Sequence, residues 1–298
     1  MSLKLWEFFG FDPLDPSPAA RNARASAQCP FVGGRCIKRF KSGLTSGACS
    51  VKPATSGPVI VCPNRMYAHD YRVLLDVAVA SFGEGVRLCR TAADARYDGK
   101  DVQVFGKKWG KELRLPNRGK GGGYFVDWIL ALTDDERNLR EFVAVELQTM
   151  DTTGSYEAEV RSYYDEVPAN PSKAGINWEN VSKRILPQII YKGHVLRREP
   201  LCTKGLFFVC PAPVYRRILT RLGGELASYH PQAGALTFRW YDVAESSPGM
   251  PKDLEFQGQM TTTIDQVALA FTSPSGLPGQ GVYEQAIRAE LARDRTNM

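Results

Sequence analysis

The chain is 298 residues long, with 43% hydrophobic and 23% charged residues and a formal net charge of +6. That apolar share supports a packed core and excludes intrinsic disorder, and no stretch nears the roughly 18 apolar residues a membrane helix needs. The charge is uneven: residues 1–120 hold 20 Lys+Arg against 10 Asp+Glu, and no acid falls between Asp15 and Asp70. A basic front half suits a polyanionic partner, because clustered Lys and Arg release phosphate counterions on binding. A solvated basic surface reads the same way. The opening residues Met1–Glu7 lack the apolar run of a secretion signal, so a cytoplasmic protein is expected.

Cysteine spacing is the first motif along the chain. Cys29, Cys36, Cys49 and Cys62 follow the pattern C-x6-C-x12-C-x12-C. In a reducing compartment disulfides are disfavoured, and four thiolates suit a tetrahedral Zn²⁺ or Fe site. Pro30, Gly34, Gly47 and Pro63 lie near these thiols, where the backbone would have to turn around an ion. Cys89, Cys202 and Cys210 stand apart in apolar contexts and read as core thiols. The only histidines, His69, His194 and His230, are too scattered for metal-ligand spacing and give little support to a Ser-His or Cys-His mechanism.

Gly119–Gly123 precedes a strand, so it reads as a flexible loop and not as a phosphate-binding P-loop. Residues 123–132 and 141–150 then predict two strands joined by a turn at Thr133–Asn138. Asp127 interrupts the first, and Glu146 with Gln148 lies near the end of the second. Positions two apart in a strand share a face, so Glu146 and Gln148 project together. An acid inside an apolar strand is costly unless it is paired or holds a cation. These acids are either edge residues facing solvent or ligands for Mg²⁺, which would activate a water against a phosphodiester.

A helix is predicted from Tyr156 to Glu166, with Ser155 and Tyr156 at its start, where N–H groups and hydroxyls could meet a phosphate backbone. Residues 177–198 predict a second helix, broken or kinked at Pro187, that carries Lys183, Arg184 and Lys192 toward phosphates. A strand over 205–210, a helix over 213–222, a strand over 235–243 and an amphipathic helix over 282–293 complete the pattern. No dinucleotide or P-loop fingerprint is present, so no nucleotide cofactor is expected.

In combination, these motifs resemble the NotI and EagI group of type II restriction endonucleases, members of the PD-(D/E)xK nuclease class. The likeness rests on Glu7-Phe8-Phe9-Gly10, Cys29-Pro30-Phe31, Val61-Cys62-Pro63-Asn64-Arg65, Glu146-Leu147-Gln148-Thr149-Met150-Asp151 and residues 177–193, and covers roughly residues 6–210. It is closer on the EagI side. Gln148 replaces the Lys usual in the wider class but agrees with this group. The resemblance implies an α/β fold with a mixed central sheet flanked by helices, and a four-cysteine region over 1–75 joined to a nuclease core over 76–298. It implies structural iron on Cys29, Cys36, Cys49 and Cys62, and catalytic Mg²⁺ on Asp127 and Glu146. Gln148 would orient the attacking water, and Glu112, 15 residues before Asp127, would be a further active-site acid.

The implied substrate is double-stranded DNA at a GC-only palindrome, CGGCCG or GCGGCCGC. A homodimer would supply the two matching half-sites. Arg35, Lys38, Arg39 and Arg65 in the cysteine region, with Ser155, Tyr156, Lys183, Arg184 and Lys192, are the candidate DNA contacts. The alternatives are a non-cleaving, metal-braced DNA-binding regulator, for which the acids have no use, and a nuclease for repair or structured DNA.

Overall fold

The computed structural model describes residues 3–107, 109, 112–115, 124–169, 172–273 and 278–296. The chain opens with strand β1 (Leu3–Phe8), helix α1 (Pro18–Ser26) and strands β2 (Ala48–Pro53) and β3 (Val59–Ile60). Ser17 caps α1 by accepting from Ala20 N, and Pro18 fits the first turn, where its missing N–H has no helical partner. Helix α2 (Ala68–Phe82), β4 (Arg87–Cys89) and β5 (Asp101–Gly106) follow. Next come the short ribbon β6 (Arg114–Leu115) with β7 (Tyr124–Phe125), and the antiparallel pair β8 (Trp128–Thr133) and β9 (Leu139–Leu147). The remaining elements are β10 (Thr152–Thr153), α3 (Glu157–Tyr164), β11 (Gly175–Ile176), α4 (Leu186–Leu196), β12 (Leu206–Pro211) and α5 (Ala212–Arg221). After them come β13 (Ala235–Val243), β14 (Leu254–Thr263), α6 (Ile264–Thr272) and α7 (Val282–Thr296).

A mixed seven-stranded sheet in the order β14-β13-β12-β9-β8-β5-β4 forms the centre. β12 runs parallel to both neighbours, β9 and β13, and every one of its residues is buried. Its unbroken apolar sequence, Leu-Phe-Phe-Val-Cys-Pro, is what a strand covered on both faces requires. β8 and β9 alternate instead. Leu130, Leu132, Val143 and Val145 enter one core with Val73, Leu74 and Val77 of α2. Ile129 and Ala144 enter the other, with Ile189 of α4, Val214 of α5 and Ile264 of α6. That second core also takes Leu3, Leu5, Phe8 and Val51, so the small antiparallel sheet β1-β2-β3 and the main sheet share one interior.

The expected mixed sheet flanked by helices is present, with differences at the functional segments. The predicted strand over 123–132 is two strands, β7 and β8, parted at Val126 and Asp127. The strand over 141–150 starts at Leu139 and stops at Leu147. The helix expected over 177–198 divides into a π-helical turn, Val181–Ile185, and α4. Pro187 stands where the π-helical turn passes without a break into α4, and having no N–H it cannot donate back into that turn. Gly119–Gly123 lies outside the described residues. Among the described residues, no helix is long and apolar enough to cross a membrane.

Candidate active site

Trp128 and Val145 are the last recorded pair of the β8–β9 ladder, and Asp127 and Glu146 lie one residue beyond it on either strand. Asp127 sits just before β8, and its Oδ2 accepts a hydrogen bond from Leu147 N at 2.9 Å, which binds it to the end of β9. The residue itself is exposed at the strand end, yet desolvation by the surrounding packing pushes its carboxyl up; the Leu147 N–H and the Lys192 charge act against this, and Glu112 adds to it. Glu112 therefore stands within electrostatic reach of Asp127, although the two are not adjacent in any strand pairing. Two acids this close at the end of an apolar strand pair repel unless a cation intervenes.

A cation does intervene. Lys192, on α4, places Nζ 2.5 Å from Glu146 Oε1, and each side chain is only 12% exposed. Glu146 is nevertheless pushed up to about 7, by burial first and then by the Asp127 charge, with Lys192 offsetting part of the rise. Gln148 sits two positions on. Its backbone N–H donates to Val209 O at 2.9 Å and its Nε2 donates to Thr149 O at 2.6 Å, so its amide nitrogen serves its own chain. The sequence placed Lys192 among phosphate-facing residues; its position on Glu146 makes it part of the acidic site. Forty-six residues separate the two, and no local pattern signals such a contact.

The backbone of α4 explains how Lys192 gets there. A Cβ on the next residue, Gly193, would lie 2.1 Å from Ile264 Cδ1, so only glycine lets α4 press this closely on α6. Ile264 is fully buried, and the contact fixes the turn of α4 from which Lys192 extends.

All four cysteines of the N-terminal motif are free thiols, with Cys49 within electrostatic reach of Cys29 and Cys62, and Cys62 of Cys36. Cys29 and Cys36 close a narrow loop, with Cys29 N donating to Gly34 O and Cys36 N to Ala27 O, each at 2.8 Å. Gly33 and Gly34 at its tip have φ of +71° and +68°, a left-handed conformation that suits glycine. Cys49 lies in β2, and Val61 N and Cys62 N both donate to its carbonyl. The Cys49 thiol is pushed well above its usual range by burial, then by Glu7 and by Cys62 and Cys29; Cys62 is raised by burial, with Cys36 contributing. Among the described residues, no group of three or more His, Cys, Asp or Glu side chains is arranged to hold a metal ion. Cys49 and Cys62 are each raised in part by a neighbouring thiol, a repulsion that a bound cation would remove.

The candidate DNA contacts divide by exposure. Arg35, Arg39, Ser155, Lys183 and Arg184 are exposed. Lys183 pairs with Glu179 at 2.5 Å and Arg184 approaches Asp151 at 3.8 Å. Lys38 is half-buried, donating to Val61 O at 3.0 Å beside Cys62. Two expectations are corrected. Arg65 is fully buried, paired with Glu7 at 2.7 Å and stacked over Phe31, so its guanidinium is spent inside the protein. Tyr156 is 4% exposed and packs under Phe40 and Lys38 in the core, out of reach of a duplex. No protein-family model and no curated protein matches this chain.

Proposed function

We propose that the chain is a Mg²⁺-dependent type II restriction endonuclease of the NotI and EagI kind, cutting double-stranded DNA at a GC-only palindrome. One observation carries the reading. Asp127 and Glu146 lie together at the end of a strand pair in a mixed sheet, with Glu112 within electrostatic reach and a lysine on Glu146. Paired carboxylates at the end of a β-hairpin are the arrangement that holds a hard divalent cation beside a phosphodiester. Asp127 and Glu146 would hold that cation, which supplies an acidified water and neutralises charge on the phosphate. Gln148 cannot act as a base; with its amide nitrogen committed to Thr149 O, its amide oxygen orients the water.

The exposed residues Arg35, Arg39, Ser155, Lys183 and Arg184 would position the duplex through its phosphates and bases. A two-fold dimer would present two such sites to a palindrome. The cysteine neighbourhood would hold a structural iron ion, with zinc accepted by the same ligands.

The test is plasmid carrying GCGGCCGC, which contains CGGCCG, incubated with the protein in Mg²⁺ or in EDTA. Cutting at that site in Mg²⁺ alone is expected, and Glu146→Ala should abolish it while specific binding persists. No cut in either condition favours a DNA-binding regulator, and cuts without a fixed sequence favour a structure-directed nuclease.

A further inference from the structure

We infer that Lys192 is the ammonium group of the cleavage site, reaching the scissile phosphate from helix α4 to supply the charge that Gln148 lacks. The inference rests on the nuclease reading of the acids and adds a residue and a role to it.

The contrast with Lys183 decides the matter. Lys183 is 70% exposed and pairs with Glu179, one turn away on its own helix, as a lysine that tracks a DNA backbone would. Lys192 leaves solvent instead and crosses from α4 to β9, ending 2.5 Å from Glu146. Withdrawing an ammonium group from water is costly, and the acid pair is what offsets the cost here. Gly193 maintains the arrangement by bringing α4 against Ile264.

The position fits the chemistry. Attack on a phosphodiester adds negative charge to its non-bridging oxygens, and a preorganised cation in a shielded site stabilises that charge more than a solvated one. Lys192 carries three N–H donors and uses one on Glu146, which leaves two for a phosphate oxygen. The cation held by Asp127 and Glu146 and the ammonium beside them would then share the charge of the transition state. Without DNA, the same ammonium neutralises Glu146 and opposes entry of a divalent ion.

Lys192→Ala, Lys192→Met and Lys192→Arg in the full chain test this with three measurements. Titration calorimetry with Mn²⁺ and no DNA should show Lys192→Ala binding the ion about tenfold more tightly, because a repelling charge is gone. Affinity for a GCGGCCGC duplex in Ca²⁺ should stay within about threefold of wild type, while kcat in Mg²⁺ falls by about 100-fold or more. Lys192→Arg should recover part of kcat. Lys192→Met keeps the stem packing, so the result does not depend on Lys192→Ala folding. Weakened duplex binding with kcat intact would overturn the role and make Lys192 a backbone contact. Equal cutting and equal Mn²⁺ binding by wild type and Lys192→Met would overturn it also. A wild type that binds Mn²⁺ and cuts no DNA overturns the nuclease reading, and the role with it.

Discussion

Arg65 and Glu7 form a buried ion pair, Nε to Oε1 at 2.7 Å, in which neither side chain is exposed. Ser50 Oγ donates to the other Glu7 oxygen at 2.6 Å, and Arg65 also donates to Lys252 O at 2.8 Å. Burial still pushes the Glu7 carboxyl up, against the pull of Arg65 and Ser50. Breaking such a pair leaves one charge uncompensated. Glu7→Ala should cost about 3–5 kcal/mol in denaturant unfolding, whereas Glu7→Leu with Arg65→Met should cost far less. Equal losses in the two variants would show that packing, and not the stranded charge, sets the cost.

The Glu146 carboxyl, pushed up to about 7 from 4.5, makes stability depend on pH in the absence of divalent ions. Between those values the folded chain holds a proton that the unfolded chain has released. The contribution of this group is therefore full below about pH 4.5 and is lost as pH rises from there through 7, by about 3 kcal/mol. Urea unfolding in EDTA at pH 5 and pH 8 measures the difference, and Glu146→Gln should remove this part of it. An unchanged slope in that variant would assign the dependence to other groups.

Gly193→Ala adds a single methyl where Ile264 already stands. Overpacking of this kind costs about 1–3 kcal/mol. The expected variant folds with a lowered Tm, and its cleavage falls more than its duplex affinity, because α4 no longer presents Lys192 to Glu146. Gly193→Ala with Ile264→Ala, which removes both Cδ1 and the Cγ1 that would stand 2.4 Å away, should restore part of the cleavage. Failure of the shortened side chain to restore anything would remove the close approach as the cause.

Metal content tests the cysteines. Protein purified from iron-supplemented cells should contain about one iron per chain by elemental analysis, and Cys49→Ser should lose it together with thermal stability. Cys89→Ser, at a buried thiol outside the motif, should keep the metal. Equal metal in the two variants would disprove a site built on Cys49.

The sequence announces strands through their apolar patterns. β13 has the bounds expected for it, Ala235–Val243, and β12 and α5 differ by a residue at each end. β14 passes unread because Leu-Glu-Phe-Gln-Gly-Gln-Met-Thr-Thr-Thr is an edge strand with a mostly polar pattern. α2 was legible in principle, since Val73, Leu74, Val77 and Ala78 recur at helical spacing. The site is harder. Asp127 beside Glu146 follows from two adjacent strands, whereas Lys192 on Glu146 depends on how α4 crosses the sheet. Charge counting fails at Arg65 for the same reason: a formal charge does not tell whether its partner is a phosphate or Glu7.

The parallel course of β12 between β9 and β13 sets an order of assembly. The β8–β9 pair closes locally, so a growing chain can bring Asp127 and Glu146 together as soon as Leu147 has emerged. The outer edge of β9 must then wait for Leu206 to pair with Ala144, and during synthesis it remains an apolar, hydrogen-bonding ledge open to other chains. Slowing translation ahead of Leu206 should therefore lengthen the interval in which nascent chains aggregate, whereas slowing it after Thr263, once β14 can cover β13, should not.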